Sequence, residues 1–167
     1  PPKFRESDGV LDLAGVKIRD NPIYTAFLKS LEATTSPMPS TEAYGALEKG
    51  VIDAVPWTAI GITDLKWDKF VKYMIMPSFY STDLGIIVNL DRWNSLSSEA
   101  KEILEEVTIE WEIKSSADRQ TDIQKYFDAY KSGGMEFVSH SEQGAQNYLK
   151  LAYDSVWARA SERMEAK

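Results

Sequence analysis

Arg19 is the residue whose type and position best suit ligand chemistry. It ends a short apolar–polar alternation that predicts a β-strand, and the pair Asn21-Pro22 after it is typical of a helix start. A guanidinium beside a helix N-terminus offers a planar fork of donors next to free backbone N–H groups, which suits bidentate recognition of a carboxylate. An ion pair with Asp20 or Asp53 would instead make Arg19 structural, and spacing alone leaves both interpretations open.

Aromatic residues follow two other predicted strands. Trp57 comes after the apolar run 51–55, and Phe79 with Tyr80 comes after the predicted strand 70–76. Each of these rings is either a core residue or part of a cleft wall. Residues 16–55 read as strand, helix, strand, helix, strand, which predicts an α/β layer with right-handed crossovers and parallel pairing. Ligands in such layers sit beyond the carboxyl ends of the strands, where we expect Arg19 and Trp57.

The remaining residues that could do chemistry do not indicate an enzyme. His140 is the single histidine and lies in a Ser-His-Ser turn, where we expect it on the surface. With one histidine and no cysteine, the usual zinc ligand sets are excluded, and no Gly-x-Ser-x-Gly elbow or phosphate-binding glycine loop is present. Acidic pairs such as Glu105-Glu106 are expected to be solvated, although an enzyme that uses carboxylates stays as an alternative. We therefore expect no catalytic residues, no metal and no cofactor.

The composition excludes several classes of partner. The 167 residues carry a net charge of −7, which disfavours a nucleic-acid interface and an anionic membrane surface. No apolar run approaches the roughly 20 residues that span a bilayer. The lack of cysteine fits an oxidising compartment without requiring one. The chain opens Pro1-Pro2-Lys3-Phe4 without a leader pattern, so we expect that a leader or an upstream region is missing.

The second half of the chain is predicted to be mainly helical. An apolar run at 84–89 predicts one more buried strand. A serine pair at 97–98 followed by Glu99 opens a long helix that Gly133-Gly134 stops. A short strand is expected at 135–138, and a last helix begins at Ser141.

Several segments, taken in order, resemble the solute-binding proteins of tripartite (TRAP) transporters, the DctP family. Each segment is weak by itself, but their order and spacing together are specific. The resemblance covers residues 10–115 in register and the helical remainder more loosely. The matching segments are Gly-Val-Lys-Ile-Arg at 15–19, Asn-Pro-Ile-Tyr-Thr-Ala-Phe at 21–27, Pro-Met-Pro at 37–39, 42–47, Gly-Val-Ile-Asp-Ala at 50–54 and 83–97.

The resemblance implies a function and a set of site residues. It implies a periplasmic subunit that closes over a small organic acid and delivers it to TRAP membrane subunits, with no enzymatic activity. Arg19 matches the arginine that makes the salt bridge to the substrate carboxylate, and Trp57 matches a residue of the pocket. The region before the long helix also contributes to the cleft, which implies roles for Phe79, Tyr80 and Asp83.

Two positions depart from the family pattern. Ser40 stands where many members have a phenylalanine that contributes to the pocket, which would widen the pocket or make it more polar. Glu32 stands where many members have glycine, at a helix end that favours a left-handed backbone conformation. A non-glycine residue there costs about 1 kcal/mol of stability.

The resemblance also implies a fold class and a division of the chain. The fold is a periplasmic-binding-protein-like clamshell (type II-like), here mainly the second lobe with long carboxyl-terminal helices. Residues 1–15 are the lead-in and inter-lobe crossing, 16–80 the second lobe, 81–96 a returning strand of the first lobe, and 97–167 the spanning and terminal helices. The resemblance also implies that the amino-terminal lobe is not part of this sequence, so we expect a partner chain or self-association. The alternative function is a structural fragment that assembles with another chain and binds no ligand by itself.

Overall fold

A computed structural model describes residues 1–81 and 85–165, apart from the side chains of 163 and 165. These residues form six short strands, five helices and one 3₁₀ turn. In chain order they are β1 (Lys3–Phe4), β2 (Leu11–Asp12), β3 (Lys17–Asp20), α1 (Thr25–Ser30), β4 (Thr34–Pro37), α2 (Ser40–Glu48), the 3₁₀ turn Trp67–Lys69, β5 (Tyr73–Met76), α3 (Leu90–Asn94), α4 (Ser98–Ser132), β6 (Glu136–Ser139) and α5 (Glu142–Glu165).

The strands pair two by two. β1 and β2 form an antiparallel hairpin, whereas β3 pairs with β4 and β5 with β6 in parallel. The parallel β3–α1–β4 unit confirms the predicted strand, helix and strand. The predicted strand at 51–55 is wrong in extent, because it is reduced to one bridge between Ala54 and Ile18. The amides of Asp53 and Ala54 both donate to the carbonyl of Lys17, at 2.7 and 3.2 Å, so two residues lie opposite one, as in a β-bulge, which locally disrupts the ladder.

One helix start differs from the prediction, and another matches it. Asn21 closes a turn of its own, since its side-chain oxygen accepts from the amide of Ile23, and α1 begins only at Thr25. α2 begins at Ser40 after Pro39 and has no side-chain cap. The predicted start of α4 is confirmed by Ser97, whose hydroxyl accepts from the amide of Ala100.

Two clusters of buried side chains hold these elements together. Core A joins α2, the 3₁₀ turn and the carboxyl-terminal end of α4, and Core B joins the β1–β2 hairpin, α1 and α5. The buried members of Core A are Ala43, Leu47, Ile52, Ile62, Trp67, Tyr130 and Met135. Those of Core B are Val10, Leu11, Phe27, Leu31, Tyr148 and Ala152. Most of the apolar side chains that leave water are in these two clusters, so they carry the hydrophobic stabilisation of the fold.

The strand predicted at 84–89 is not formed by its described residues, 85–89, which have no regular structure. Ile86 and Ile87 are 88% and 97% exposed. The segment has no strand beside it in the part of the chain that the structure describes, and an apolar strand without a sheet neighbour leaves its amides and carbonyls unpaired. The amino-terminal half of α4 is also uncovered, with Trp111 and Ile113 63% and 71% exposed. None of the helices in the described residues is both long enough and apolar enough to cross a membrane.

His140 was expected on the surface, and this is wrong, because the residue is 8% exposed. Its ring has a structural role. Its Nε2 accepts from the amide of Leu11 at 3.2 Å, and its Nδ1 lies 2.8 Å from the carbonyl of Met76. Since a carbonyl can only accept, Nδ1 carries the proton. The ring also packs against Phe4 and Tyr148. His140 therefore links the β1–β2 hairpin to the β5–β6 pair, a long-range contact that the local Ser-His-Ser pattern does not reveal.

The backbones of two glycines meet where the first turn of α5 packs on the hairpin. A Cβ atom on Gly144 would lie 2.4 Å from the carbonyl oxygen of Gly9, which is backbone and cannot step aside. We expect Gly144→Ala to lower the free energy of unfolding by about 1–3 kcal/mol, the usual effect of forcing extra atoms into a packed site. Urea unfolding measures the change.

Gly45 provides the matched control for this substitution. It lies within α2, and a Cβ atom there would meet nothing within 4 Å. Gly45→Ala should therefore raise stability by about 0.5–1 kcal/mol, since alanine loses less backbone entropy in a helix. A Gly144→Ala protein as stable as the wild type would show that the hairpin and α5 are not in this close contact.

Glu32 has a φ angle of 65°, so the left-handed conformation expected for it is present. A side chain in this region is strained, whereas glycine is not. We expect Glu32→Gly to stabilise the fold by up to about 1 kcal/mol, measured as an upward shift of the urea midpoint. Glu48→Gly, at an exposed position of α2, should shift it downward. A downward shift for both variants would contradict the assignment of strain to Glu32.

Candidate functional site

Arg19 lies near the end of β3, is 6% exposed, and is held at three points. Its Nε donates to the carbonyl of Met38 at 3.1 Å, just past the end of β4. One Nη donates to the hydroxyl of Tyr24 at 3.0 Å, ahead of α1. The guanidinium carbon lies 5.7 Å from the centre of a Trp57 ring, within the range of a cation–π contact. β3 and the three segments that contain Met38, Tyr24 and Trp57 therefore meet at the Arg19 side chain.

The two carboxylates that could have paired with Arg19 bind elsewhere. The side chain of Asp53 accepts from the amide of Lys17 at 2.9 Å, and that of Asp20 accepts from the hydroxyl of Thr25 at 2.8 Å. Among the described residues, no salt bridge involves Arg19. A buried guanidinium loses hydration, and without a paired carboxylate it recovers little of that loss. The site is thus electrostatically suited to an anion that supplies the missing partner.

Trp57 forms one side of this site. Its ring is 39% exposed and meets the buried Trp67 edge to face, with centroids 4.9 Å apart. Trp67 belongs to Core A, so one side of the Trp57 ring is fixed by packing while the residue stays partly open to solvent. Trp57 therefore packs on the core and also lies against Arg19, and its role as a cleft wall stays a prediction.

Tyr24 lies on the other side of Arg19. It was not predicted from the sequence as a site residue. Its ring lies edge to face with Phe79 at 6.0 Å, and Phe79 packs against Phe27 at 4.7 Å. Burial raises the pKa of the Tyr24 hydroxyl, with a smaller opposing effect from Arg19 and a small addition from Asp20. Phe79 is therefore a partly buried member of Core B that reaches the site through Tyr24.

Tyr80 faces a different space. It lines an open groove of about 420 Å³ between residues 79–81 and α5, whose lining does not include Arg19 or Trp57. The residues along this groove are Phe79, Tyr80, Ser81, Leu149, Ala152, Tyr153, Val156 and Trp157. The structure thus brings Arg19, Trp57 and Phe79 into one neighbourhood and turns Tyr80 toward α5.

The last two predicted site residues are Ser40 and Asp83. Ser40 is the first residue of α2, two positions after Met38, and no hydrogen bond connects it to Arg19 among the described residues. Asp83 lies outside the described residues. Nor do the described residues contain a group of three or more histidine, aspartate or glutamate side chains placed to hold a metal ion.

Comparison with known sequences decides the family. A sequence profile of DctP, bacterial extracellular solute-binding protein family 7, matches residues 4–163, nearly the whole chain. The chain belongs to the DctP family. It is 27% identical over 162 residues to a monocarboxylate 2-oxoacid-binding periplasmic protein of Nostoc sp., covering 94% of this chain and 44% of that protein. It is 29% identical over 139 residues to the 2,3-diketo-L-gulonate-binding periplasmic protein YiaO of Escherichia coli, covering 80% and 42%.

Solved structures give the same fold for this DctP chain. A TRAP transporter solute-binding protein of Bordetella bronchiseptica, a dimer with calcium and picolinate in one site, aligns with a TM-score of 0.73 at 23% identity. The alignment covers 90% of this chain and 45% of that one. A TRAP periplasmic protein of Anaerococcus prevotii with bound D-glucuronate aligns at 0.72 and 20% identity, over 88% and 48%. The chain therefore has the periplasmic-binding-protein-like α/β fold predicted from its sequence, and it spans about half the length of these relatives.

Proposed function

We propose that this chain is part of the extracytoplasmic solute-binding subunit of a TRAP transporter, and that Arg19 captures a small organic carboxylate through a salt bridge. One observation carries the proposal: Arg19, a residue that is 6% exposed, has no carboxylate partner among the described residues. A ligand carboxylate would supply the missing counter-charge and could accept from the free edge of the guanidinium. Charge-assisted bonds of this kind are about twice as strong as neutral ones.

The class of ligand is supported by the relatives. The Nostoc protein is named for monocarboxylate 2-oxoacids, the E. coli protein for 2,3-diketo-L-gulonate, and the Anaerococcus structure holds D-glucuronate. These compounds share a carboxylate and differ in the rest of the molecule. This pattern would follow if one anchor bound the carboxylate of every ligand, while the second half of the cleft differed between proteins and bound the rest of the molecule. Trp57 would form the wall beside the anchor, with Phe79 behind Tyr24, while Ser40, Tyr80 and Asp83 would contribute more distant contacts.

The remaining parts of the proposal concern the whole protein. Residues 16–80 would be one lobe, and 1–15 and 81–96 would lead to and from the other lobe, which the longer relatives contain. The helices of 97–167 would span and brace both lobes. The protein would work in the periplasm with TRAP membrane subunits as a binding protein without enzymatic activity, in keeping with the periplasmic names of its relatives.

The Arg19 assignment predicts the effect of its removal on binding. We expect Arg19→Ala to weaken carboxylate binding by the full-length protein about 30-fold or more, because truncating one partner of a buried charge pair costs roughly 2–5 kcal/mol. Titration calorimetry with organic monocarboxylates that include pyruvate and D-glucuronate measures the change. Arg119→Ala, which removes an exposed guanidinium from α4, should bind as the wild type does. If the wild type, Arg19→Ala and Arg119→Ala bound with equal affinity, Arg19 would not be a ligand-binding residue.

The uncovered apolar surface favours a second candidate, a fragment that assembles with another chain and binds no ligand by itself. The surface includes Ile86, Ile87 and Val88, and the amino-terminal half of α4 adds Val107 and Trp111. Apolar patches of this kind are uncommon on monomeric proteins and mark interaction surfaces. In the leading proposal the same surface is covered by the other lobe, whereas in the alternative it is covered by a separate polypeptide.

Sedimentation of the 167-residue chain alone tests this surface. We expect self-association that rises with concentration, because half of α4 and residues 85–89 present apolar side chains to water. Ile87→Asp should shift the chain toward monomer, since a charge at a buried contact is strongly unfavourable. Ser116→Asp adds the same charge at an exposed polar position of α4 and should leave the distribution unchanged. A wild-type chain that stays monomeric at every concentration would exclude self-association through this surface.

A further inference from the structure

The Tyr24 hydroxyl can donate one hydrogen bond for which the described residues provide no acceptor. It accepts a hydrogen bond from Arg19 at 3.0 Å, so its own proton is available for donation. Among the described residues, no acceptor takes that proton. Burial raises the pKa of this hydroxyl, which keeps it protonated across the neutral range. A neutral O–H donor therefore sits directly beside the guanidinium.

The fold holds this hydroxyl in place through several independent contacts. The amide of Tyr24 donates to the carbonyl of Asn21 at 3.1 Å, which closes the turn between β3 and α1. The next residue, Thr25, donates its hydroxyl to the buried carboxylate of Asp20 at 2.8 Å. Phe79 supports the ring from the side of Core B. The phenol is thus positioned as firmly as Arg19, and a pre-positioned donor loses little entropy when it binds a ligand.

The pairing of the two groups favours an anion over a neutral ligand. A hydroxyl that accepts from a cation is polarised, and its own proton becomes a better donor. Its preferred acceptor is an anionic oxygen, which also attracts the guanidinium. A carboxylate has two oxygens and can accept from Arg19 and Tyr24 together.

We propose that Tyr24 is a ligand-contacting residue, whose hydroxyl donates to the same carboxylate that Arg19 binds. The inference rests on the function proposed above and adds a second donor to its anchor. It also assigns Phe79 a role as the support of the Tyr24 ring. Asp20 and Thr25 act as positioning residues that fix the turn.

Tyr24→Phe removes the hydroxyl and keeps the ring against Phe79. With the best-bound member of the carboxylate panel as probe, we expect the full-length variant to bind about 10-fold to 100-fold more weakly, as for the loss of a hydrogen bond to a charged group. Tyr153→Phe, at an exposed position of α5, is the matched control and should bind as the wild type does. Unchanged affinity in Tyr24→Phe would overturn the proposal.

Replacement of Tyr24 by 3-fluorotyrosine separates ligand contact from mere support of Arg19. Fluorine makes the phenol a stronger donor and a weaker acceptor. Measured at mildly acidic pH, where the phenol stays protonated, the affinity should rise if the hydroxyl donates to the ligand. It should fall if the hydroxyl only accepts from Arg19, and that result would contradict the inference.

The outcomes also distinguish this inference from the proposed function. Loss of binding in Arg19→Ala together with normal binding in Tyr24→Phe would reject the Tyr24 contact and leave the Arg19 anchor in place. A wild-type protein that binds none of the carboxylates, or binds them equally well after Arg19→Ala, would reject both.

Discussion

The buried positive charge of Arg19 is the constraint on which the site depends. Its hydrogen bonds go to a backbone carbonyl after β4 and a phenol before α1, and both acceptors are neutral. Neutral acceptors hold the guanidinium in one orientation without cancelling its charge. The neighbouring Asp20 is bound to Thr25 instead, so its charge lies nearby without forming an ion pair. A direct ion pair would cancel this charge, whereas the observed arrangement leaves it without a counter-ion among the described residues.

The two cores explain why the chain can form this site and still expose so much apolar surface. Core A and Core B bury side chains of α1, α2, the middle of α5 and the carboxyl-terminal end of α4. Neither core reaches residues 85–89 or the amino-terminal half of α4, where Ile87 and Ile113 are 97% and 71% exposed. The chain spans about half the length of its relatives, so a complementary surface in the other half would account for these apolar residues.

Local patterns in the sequence predicted the parts of this structure that local interactions determine. The β3–α1–β4 unit and the capped start of α4 follow from alternation and capping, whereas the left-handed Glu32 was expected only from the family resemblance. Arg19 and Trp57 were expected together because strand ends meet at one edge of a layer, although the third strand is only a bridge. Tyr24 and the burial of His140 were missed, since each depends on partners that sequence spacing does not reveal. The strand expected at 84–89 needs a sheet neighbour that the described residues do not contain.

The two walls of the site are supported by different cores. Trp57 rests on Trp67 of Core A, whereas Tyr24 is supported through Phe79 by Phe27 of Core B. Arg19 lies between them on β3 and touches both walls. Because close-packed cores transmit displacement rather than absorb it, a small shift of one core against the other would change the distance between the walls. The width of the site is therefore a property of how α2 and α4 sit relative to α1 and α5.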